Sequence, residues 1–174
     1  PSSSGKTTFT HRLHVHLQVH GLRPAILSLD DFYRDRDALP PGEDGTPDLE
    51  TIDALDIPLL SDCVERLLAG ETVDMPRFDF KRGRRAETTV PLRVRAGSPL
   101  LIEGIHGMND RMTEALPEHL IYGVYVSALA CVNVDDHNRV RTTDMRLLRR
   151  IVRDVSFRGT PPEETIAMWP KVRA

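Results

Sequence analysis

The sequence predicts a three-layer α/β fold with a mostly parallel sheet, and three observations carry that prediction. A short Ser/Gly loop runs into a helical pattern, which a turn then joins to a short apolar strand. A second apolar run, residues 99–104, finishes on a carboxylate, as a buried parallel strand does when it delivers an acid to a site. Around these two runs, strand-like and helical patterns alternate, which is the order that stacks helices on both faces of a sheet. The 174 residues, 40% apolar and 28% charged, suit one globular domain. A chain of this length buries roughly two-thirds of its unfolded surface, enough to stand without a disulfide or a structural metal.

The first element carries the most chemistry. Pro1-Ser2-Ser3-Ser4-Gly5-Lys6-Thr7 matches the last seven positions of G-x-x-x-x-G-K-[ST], with the opening glycine lying before residue 1. Such a loop is short on side chains so that consecutive backbone N–H groups can point at the α- and β-phosphates of a nucleotide. Lys6 then reaches the β- and γ-phosphates, and the Thr7 hydroxyl ligates the magnesium that bridges them. Ser2, Ser3, Ser4, Gly5 and Thr8 complete the expected ATP-binding loop, and the helix behind it adds its positive N-terminal end. Phe9, Leu13 and Leu17, with Val15 and Val19 nearby, give that helix its period; Gly21 and Pro24 stop it, and 25–29 is a strand. Loop, helix and strand in this order define a P-loop NTPase fold. The strand feeding the loop would precede residue 1, so the chain is expected to be a fragment truncated at the N-terminus, and at the C-terminus as well. Strands 25–29 and 100–103 are then each expected to lack a ladder partner.

Further along, Asp30-Asp31-Phe32-Tyr33 sits at the carboxyl end of a strand, where open α/β sheets place their ligands. Residues 34–47 form a long polar loop, and 55–68 a helix closed by Gly70. The Arg- and Lys-rich stretch 75–95 reads as a small β-containing excursion that binds the phosphate acceptor, and 121–126 as a further strand. On the helix predicted over 144–158, Arg146, Arg149, Arg150 and Arg153 share an arc of about 100°, opposite Leu147, Leu148, Ile151, Val152 and Val155. Like charges at that spacing repel, so an anionic partner is expected: a lid helix closing over a triphosphate accounts for the pattern, with Asp144 and Asp154 offsetting part of the repulsion.

Composition sets the boundaries. With 23 Lys+Arg against 26 Asp+Glu, the net charge of -3 argues against a nucleic-acid partner. No apolar run approaches the 18 or so residues of a membrane span, so no membrane partner is expected. Cys63 and Cys131 stand alone without a CxxC spacing and read as buried thiols of a reducing, cytoplasmic compartment. His16 and His20 have an i,i+4 spacing on the first helix, but no third convergent ligand, so no zinc site is expected there.

In shared order and spacing, these motifs resemble the uridine kinase and phosphoribulokinase family of P-loop kinases over nearly the whole chain. The carriers are Ser-Gly-Lys-Thr, Asp30-Asp31-Phe32-Tyr33, Asp48-Leu49-Glu50-Thr51-Ile52-Asp53-Ala54, Phe78-Asp79-Phe80 with Arg85, Ile102-Glu103-Gly104-Ile105-His106, and Arg149-Arg150-Ile151-Val152-Arg153-Asp154 leading to Arg158-Gly159. The ensemble is similar to a bacterial branch in which such a domain follows a module like part of a threonyl-tRNA synthetase. The resemblance implies ATP and Mg2+ as cofactors and a small hydroxyl compound, most simply a nucleoside, as acceptor. It implies Asp30 as the general base beside the catalytic Lys6, and Glu103 with Thr7 on magnesium. It further implies Tyr33, Glu50, Phe78, Arg85 and Arg150 on the acceptor, and Arg153 and Arg158 on ATP phosphates. Phe78 stands where pyrimidine nucleoside kinases have Tyr, Gly83 where they have His, and Arg158-Gly159-Thr160 replaces R-G-R, so acceptor identity stays open. A sugar-phosphate kinase, with Arg82, Arg84 and Arg85 around the acceptor's phosphate, and a non-catalytic ATP-binding regulatory module are the alternatives. Oligomeric state is open too, a homo-oligomer included.

Overall fold

The computed structural model describes residues 2–41, 48–114, 118–127 and 132–173. The chain divides into two compact units, Thr7–Gly123 and the pair of segments Pro1–Lys6 and Val124–Ala174.

The Thr7–Gly123 unit is organised by a parallel strand pair. Helix α1 (Lys6–Val19) leads into β1 (Ala25–Ser28), which pairs in parallel with β6 (Leu100–Glu103) in the register Ala25↔Leu100 to Ser28↔Glu103. These two strands partner each other, and the Ala25 N–H continues the ladder to the Pro99 carbonyl at 3.1 Å. Helix α1 forms where its pattern predicts, yet Phe9, Val15 and Val19 are exposed and the residue it buries is Thr10.

After β1 the chain tightens into a 3-10 turn, Leu29–Phe32. Short loops then lead to α2 (Ile57–Leu68), whose N-cap Asp56 accepts from the Leu59 N–H at 3.3 Å and whose second position is Pro58, both standard start signals. The apolar stripe of α2, Leu60, Cys63, Val64 and Leu67, packs with Leu27, Leu29, Phe32, Leu55 and Val73 into one core. Burying a side chain of this kind is worth about 1.5–3 kcal/mol, so this cluster supplies most of the unit's apolar stabilisation. Cys63 lies inside it as a free thiol pushed up in pKa by burial, which keeps it protonated and inert; Cys131 lies outside the described residues.

The excursion after α2 is β-containing as predicted. Strand β2 (Thr72–Met75) pairs antiparallel with β5 (Val90–Arg93), and β3 (Phe78–Asp79) with β4 (Arg84–Arg85). A one-turn helix, α3 (Asp110–Thr113), follows β6. Residues 121–126 do not form the predicted strand. They find no ladder partner among the described residues, Tyr122 is 91% exposed, and an unpaired apolar run leaves its backbone polar groups to water.

In the second unit, α4 (Thr142–Arg153) runs into a π-helical turn, Asp154–Arg158, which ends at Gly159 with φ +68°, and α5 (Pro162–Arg173) packs back on α4. Trp169 of α5 is buried beneath the Arg146 guanidinium, 5.4 Å above its ring. No helix among the described residues is long and apolar enough to cross a membrane.

Gly104, at the exit of β6, is a packing constraint. A Cβ there would stand 2.6 Å from Leu29 Cβ and 2.8 Å from its Cδ1. Gly104→Ala should therefore cost about 1–3 kcal/mol, as overpacking does, read as a lower urea midpoint. A midpoint equal to wild type would show that the two strand exits are not this close.

Candidate active site

The phosphate loop and the arginine helix meet within the second unit. Ser3 adopts φ +58° and Gly5 φ +99°. Reversals of handedness like these turn successive N–H groups toward one point, and a non-glycine residue in that conformation is strain of the kind found at ligand sites. The Ser3 and Ser4 Oγ atoms are buried with no hydrogen-bond partner among the described residues. Against this loop lies α4: Arg146 Nε donates to the Ser2 carbonyl at 3.0 Å, Arg150 Nη1 to Ser2 Oγ at 2.9 Å, and a Cβ on Gly5 would stand 3.3 Å from Arg149 Nη2.

The cationic face therefore has partners, and the central one is Asp154. Its buried carboxylate takes Arg150 Nε at 3.2 Å, Arg153 Nε and Nη2 at 3.0 Å each, and Arg158 Nη1 at 3.8 Å. The π turn makes this convergence: one extra residue in the helical step brings Arg158 around to the side where Arg150 and Arg153 already lie. Arg150 on this face is buried, whereas Leu148, Val152 and Val155 on the opposite side are exposed.

In the Thr7–Gly123 unit, Glu103 at the end of β6 is held by two hydroxyls: Thr7 Oγ1 donates to Oε2 at 3.1 Å and Ser28 Oγ to Oε1 at 3.0 Å. Thr7 and Glu103, predicted as the magnesium contacts from positions 96 residues apart, are adjacent. Neighbouring ligands on an octahedral Mg2+ with bonds of about 2.1 Å stand about 3 Å apart, so this hydroxyl–carboxylate pair fits the ion in both chemistry and spacing. Thr8, in the first turn of α1, is exposed.

Of the predicted acceptor residues, Tyr33, Phe78 and Arg85 gather around the 3-10 turn, whereas Arg150 lies on α4 of the other unit, held by Ser2 and Asp154. Asp31 is committed to structure, accepting from Arg77 Nη1 at 2.9 Å and from the Phe78 N–H at 3.3 Å; burial nonetheless pushes its carboxyl upward. Asp30, one residue earlier, is half-buried. The Asp48–Ala54 segment is stitched to the same turn through Arg34 N–H to the Ala54 carbonyl and Asp56 N–H to the Phe32 carbonyl, both 2.9 Å, and the Tyr33↔Leu55 bridge. Tyr33, Phe78 and Phe80 form a mutually edge-on trio, centroids 5.1 to 6.2 Å apart, with Tyr33 and Phe78 in the core. Arg85 donates from Nη2 to Asp56 at 2.8 Å and from its backbone N–H to Asp35 at 2.9 Å, while its Nε is buried without a partner among the described residues. At Gly83, φ is +68° and a Cβ would lie 2.6 Å from Arg36 Cδ, so any side chain here is strained and needs Arg36 to move.

Sequence reasoning passed over two residues. Asp154 was visible only as a partial offset to the arginines. His106, quoted within a motif and given no role, has a half-buried ring acted on by the charges of Glu50, Asp30 and Asp48 and hydrogen-bonded to the Thr51 backbone; burial dominates and lowers its pKa.

A model of the phosphoribulokinase / uridine kinase family matches residues 1–174. The chain belongs to this family. Within it, a uridine kinase of Deinococcus deserti is 33% identical over 171 residues, 97% of this chain and 72% of that protein. Among solved structures, a candidate fructose transport system kinase from a Silicibacter species superposes with a TM-score of 0.62 at 17% identity, over 95% of this chain and 73% of that one. A candidate uridine kinase from Bacillus stearothermophilus gives 0.51 at 19% identity, over 64% of this chain and 60% of that one. These structures establish a shared P-loop kinase fold with its parallel strands.

Two outcomes follow for a family member built this way. Removing one partner of a buried ion pair costs about 3–5 kcal/mol, so Asp154→Ala should lose stability on that scale in urea unfolding, through the stranded charge of Arg150; a loss below 1 kcal/mol, roughly that of an exposed pair, would mean that the arginines do not depend on it. Asp56 reports on Arg85. Burial pushes its carboxyl up, but hydrogen bonds from Arg85 and the Leu59 N–H, with the Arg85 charge, outweigh burial and hold it below its usual value. Its stabilisation is present above the unfolded value of about 4 and is lost as pH falls through the lower folded value. Asp56→Asn, which keeps the helix cap, should thus be less stable than wild type at pH 7, with the gap closing in acid. A gap independent of pH would rule out the Arg85 pair as its source.

Proposed function

We propose that this chain is an ATP-dependent kinase that transfers the γ-phosphoryl group to a hydroxyl of a nucleoside, acting in the cytoplasm with magnesium. The observation that carries the reading is the Thr7–Glu103 pair at 3.1 Å, a cation-ready hydroxyl and carboxylate directly after Lys6. The buried hydroxyls of Ser3 and Ser4, without a partner among the described residues, and the reversed backbone at Ser3 and Gly5 fit a nucleotide's phosphates in the loop.

In phosphoryl transfer, the protein chiefly positions the reactants and neutralises charge. The acceptor oxygen bonds to the γ-phosphorus as the bond to the β–γ bridging oxygen breaks, and the hydroxyl proton leaves to a carboxylate. Of the paired aspartates, Asp31 is occupied by Arg77 and the Phe78 amide, so the base role falls to Asp30. Lys6 counters charge on the β- and γ-phosphates, and Arg153 and Arg158, already ordered on Asp154, supply donors without a further loss of side-chain freedom. Magnesium, held by Thr7 and Glu103, would neutralise charge that develops on the bridging phosphates. Glu50 binds acceptor hydroxyls beside Asp30. A nucleoside is favoured over a sugar phosphate because Arg85 is taken up by Asp56 and Arg82 by Asp79 at 3.6 Å.

The test is acceptor-dependent ADP release over a panel of nucleosides and sugar phosphates, with Asp30→Asn beside wild type. The variant should bind Mg-ATP as wild type does by calorimetry while its turnover falls about a hundredfold or more. Turnover at the wild-type rate would place the base elsewhere, and ADP release by wild type that ignores every acceptor would favour a regulatory ATP-binding module.

A further inference from the structure

Trp169 is buried, yet it stands outside the apolar core. The other buried hydrophobic side chains among the described residues form one cluster in the Thr7–Gly123 unit, and Trp169 does not join it. Its ring lies instead beneath a cation, with the Arg146 guanidinium 5.4 Å from the centroid. Thr165, four residues earlier on α5 and fully buried, places its hydroxyl 3.5 Å from Asp154 Oδ2. Positions four apart share a helix face. One face of α5 is thus fastened at two points, Trp169 at Arg146 and Thr165 at the carboxylate that gathers the other arginines, while Ile166 and Met168 stay exposed.

Arg146 is held differently from the arginines that follow it. Arg150, Arg153 and Arg158 share the Asp154 carboxylate. The partners of Arg146 among the described residues are the Ser2 carbonyl, 3.0 Å from its Nε, and the Trp169 ring. An aromatic face attracts a cation through its quadrupole and carries no net charge, so it fixes the guanidinium without neutralising it. The Ser2 carbonyl in turn belongs to a trans peptide, whose C=O and N–H point in opposite directions. Fixing that carbonyl on Arg146 therefore fixes where the Ser3 N–H points. The peptide needs such a hold: Ser3 has φ +58°, which a non-glycine residue keeps where its surroundings impose it.

We propose that Trp169 is a positioning residue of the nucleotide site: its ring holds the Arg146 guanidinium on the Ser2 carbonyl, and that bond sets the Ser2–Ser3 peptide with its N–H presented to the phosphates of ATP. This deepens the kinase reading and rests on its placing of ATP in the loop. The residue acts through Arg146, removing before binding the freedom that the loop would otherwise lose on binding.

The experiment measures Mg-ATP affinity by calorimetry on the whole chain for wild type, Trp169→Leu, Trp169→Phe, Arg146→Met and the Arg146→Met/Trp169→Leu double variant, with melting temperatures alongside. Leu keeps an apolar side chain and removes the ring; Phe keeps a ring. Trp169→Leu should weaken Mg-ATP binding about fivefold or more, with kcat at saturating Mg-ATP falling far less, and Trp169→Phe should recover most of the loss. In the Arg146→Met background the Leu substitution should add less than about twofold, because the two residues act as one unit. A Phe variant as weak as the Leu variant, or losses that multiply in the double variant, overturns the proposal by reducing Trp169 to packing.

A second readout needs no nucleotide. The Arg146 Nε–H should exchange slowly with water in wild type and in Trp169→Phe, and fast in Trp169→Leu; equal exchange in all three overturns the proposal. Acceptor turnover by wild type separates the two readings. Coupled losses without turnover would reject the kinase and keep the positioning role; turnover with multiplying losses would reject the role and keep the kinase; a wild type that does not bind Mg-ATP would reject both.

Discussion

Glu103 ends the strand that the whole Thr7–Gly123 unit is built on, and both of its oxygens are already in use. Ser28, its register partner on β1, donates to one, and Thr7, at the head of α1, donates to the other. One carboxylate thus ties together a strand pair and the start of the helix that follows the phosphate loop. The same geometry explains Gly104. With β1 and β6 held side by side at their ends, Leu29 enters the space next to β6, and a side chain at the following residue has no room. The 3-10 turn with Asp30 begins at that point, so packing at the two strand ends helps set where the proposed base stands.

Charge in this protein is arranged in local groups that its net value of -3 conceals. Asp154 gathers three guanidiniums, Asp31 takes Arg77, and Asp56 takes Arg85. Each group orders long side chains before any ligand arrives, and that ordering is the part of binding that otherwise opposes affinity and rate. Burial makes the Asp154–Arg150 pair sensitive to loss. A carboxylate removed from among three arginines leaves charge where water cannot reach it.

What the sequence by itself determined follows from short-range chemistry. The Gly-Lys-Thr loop before a helix, the apolar run ending at Glu103, the capped and striped α2, and the family's motifs in order all depend on neighbours within a few residues, and each is found where the residues predict. Only the tertiary structure decided which of two adjacent aspartates is structural, that β1 and β6 are direct partners, that 121–126 stays unpaired, and that α4 lays its arginines on the loop while Leu148 and Val152 stay exposed. Nor does the sequence show that the charge of Glu50 acts on His106, 56 positions away. The physical reason is the same in each case: periodicity states which side chains share a face, but the partner that satisfies a face, whether an apolar core or a buried carboxylate such as Asp154, comes from elsewhere in the chain.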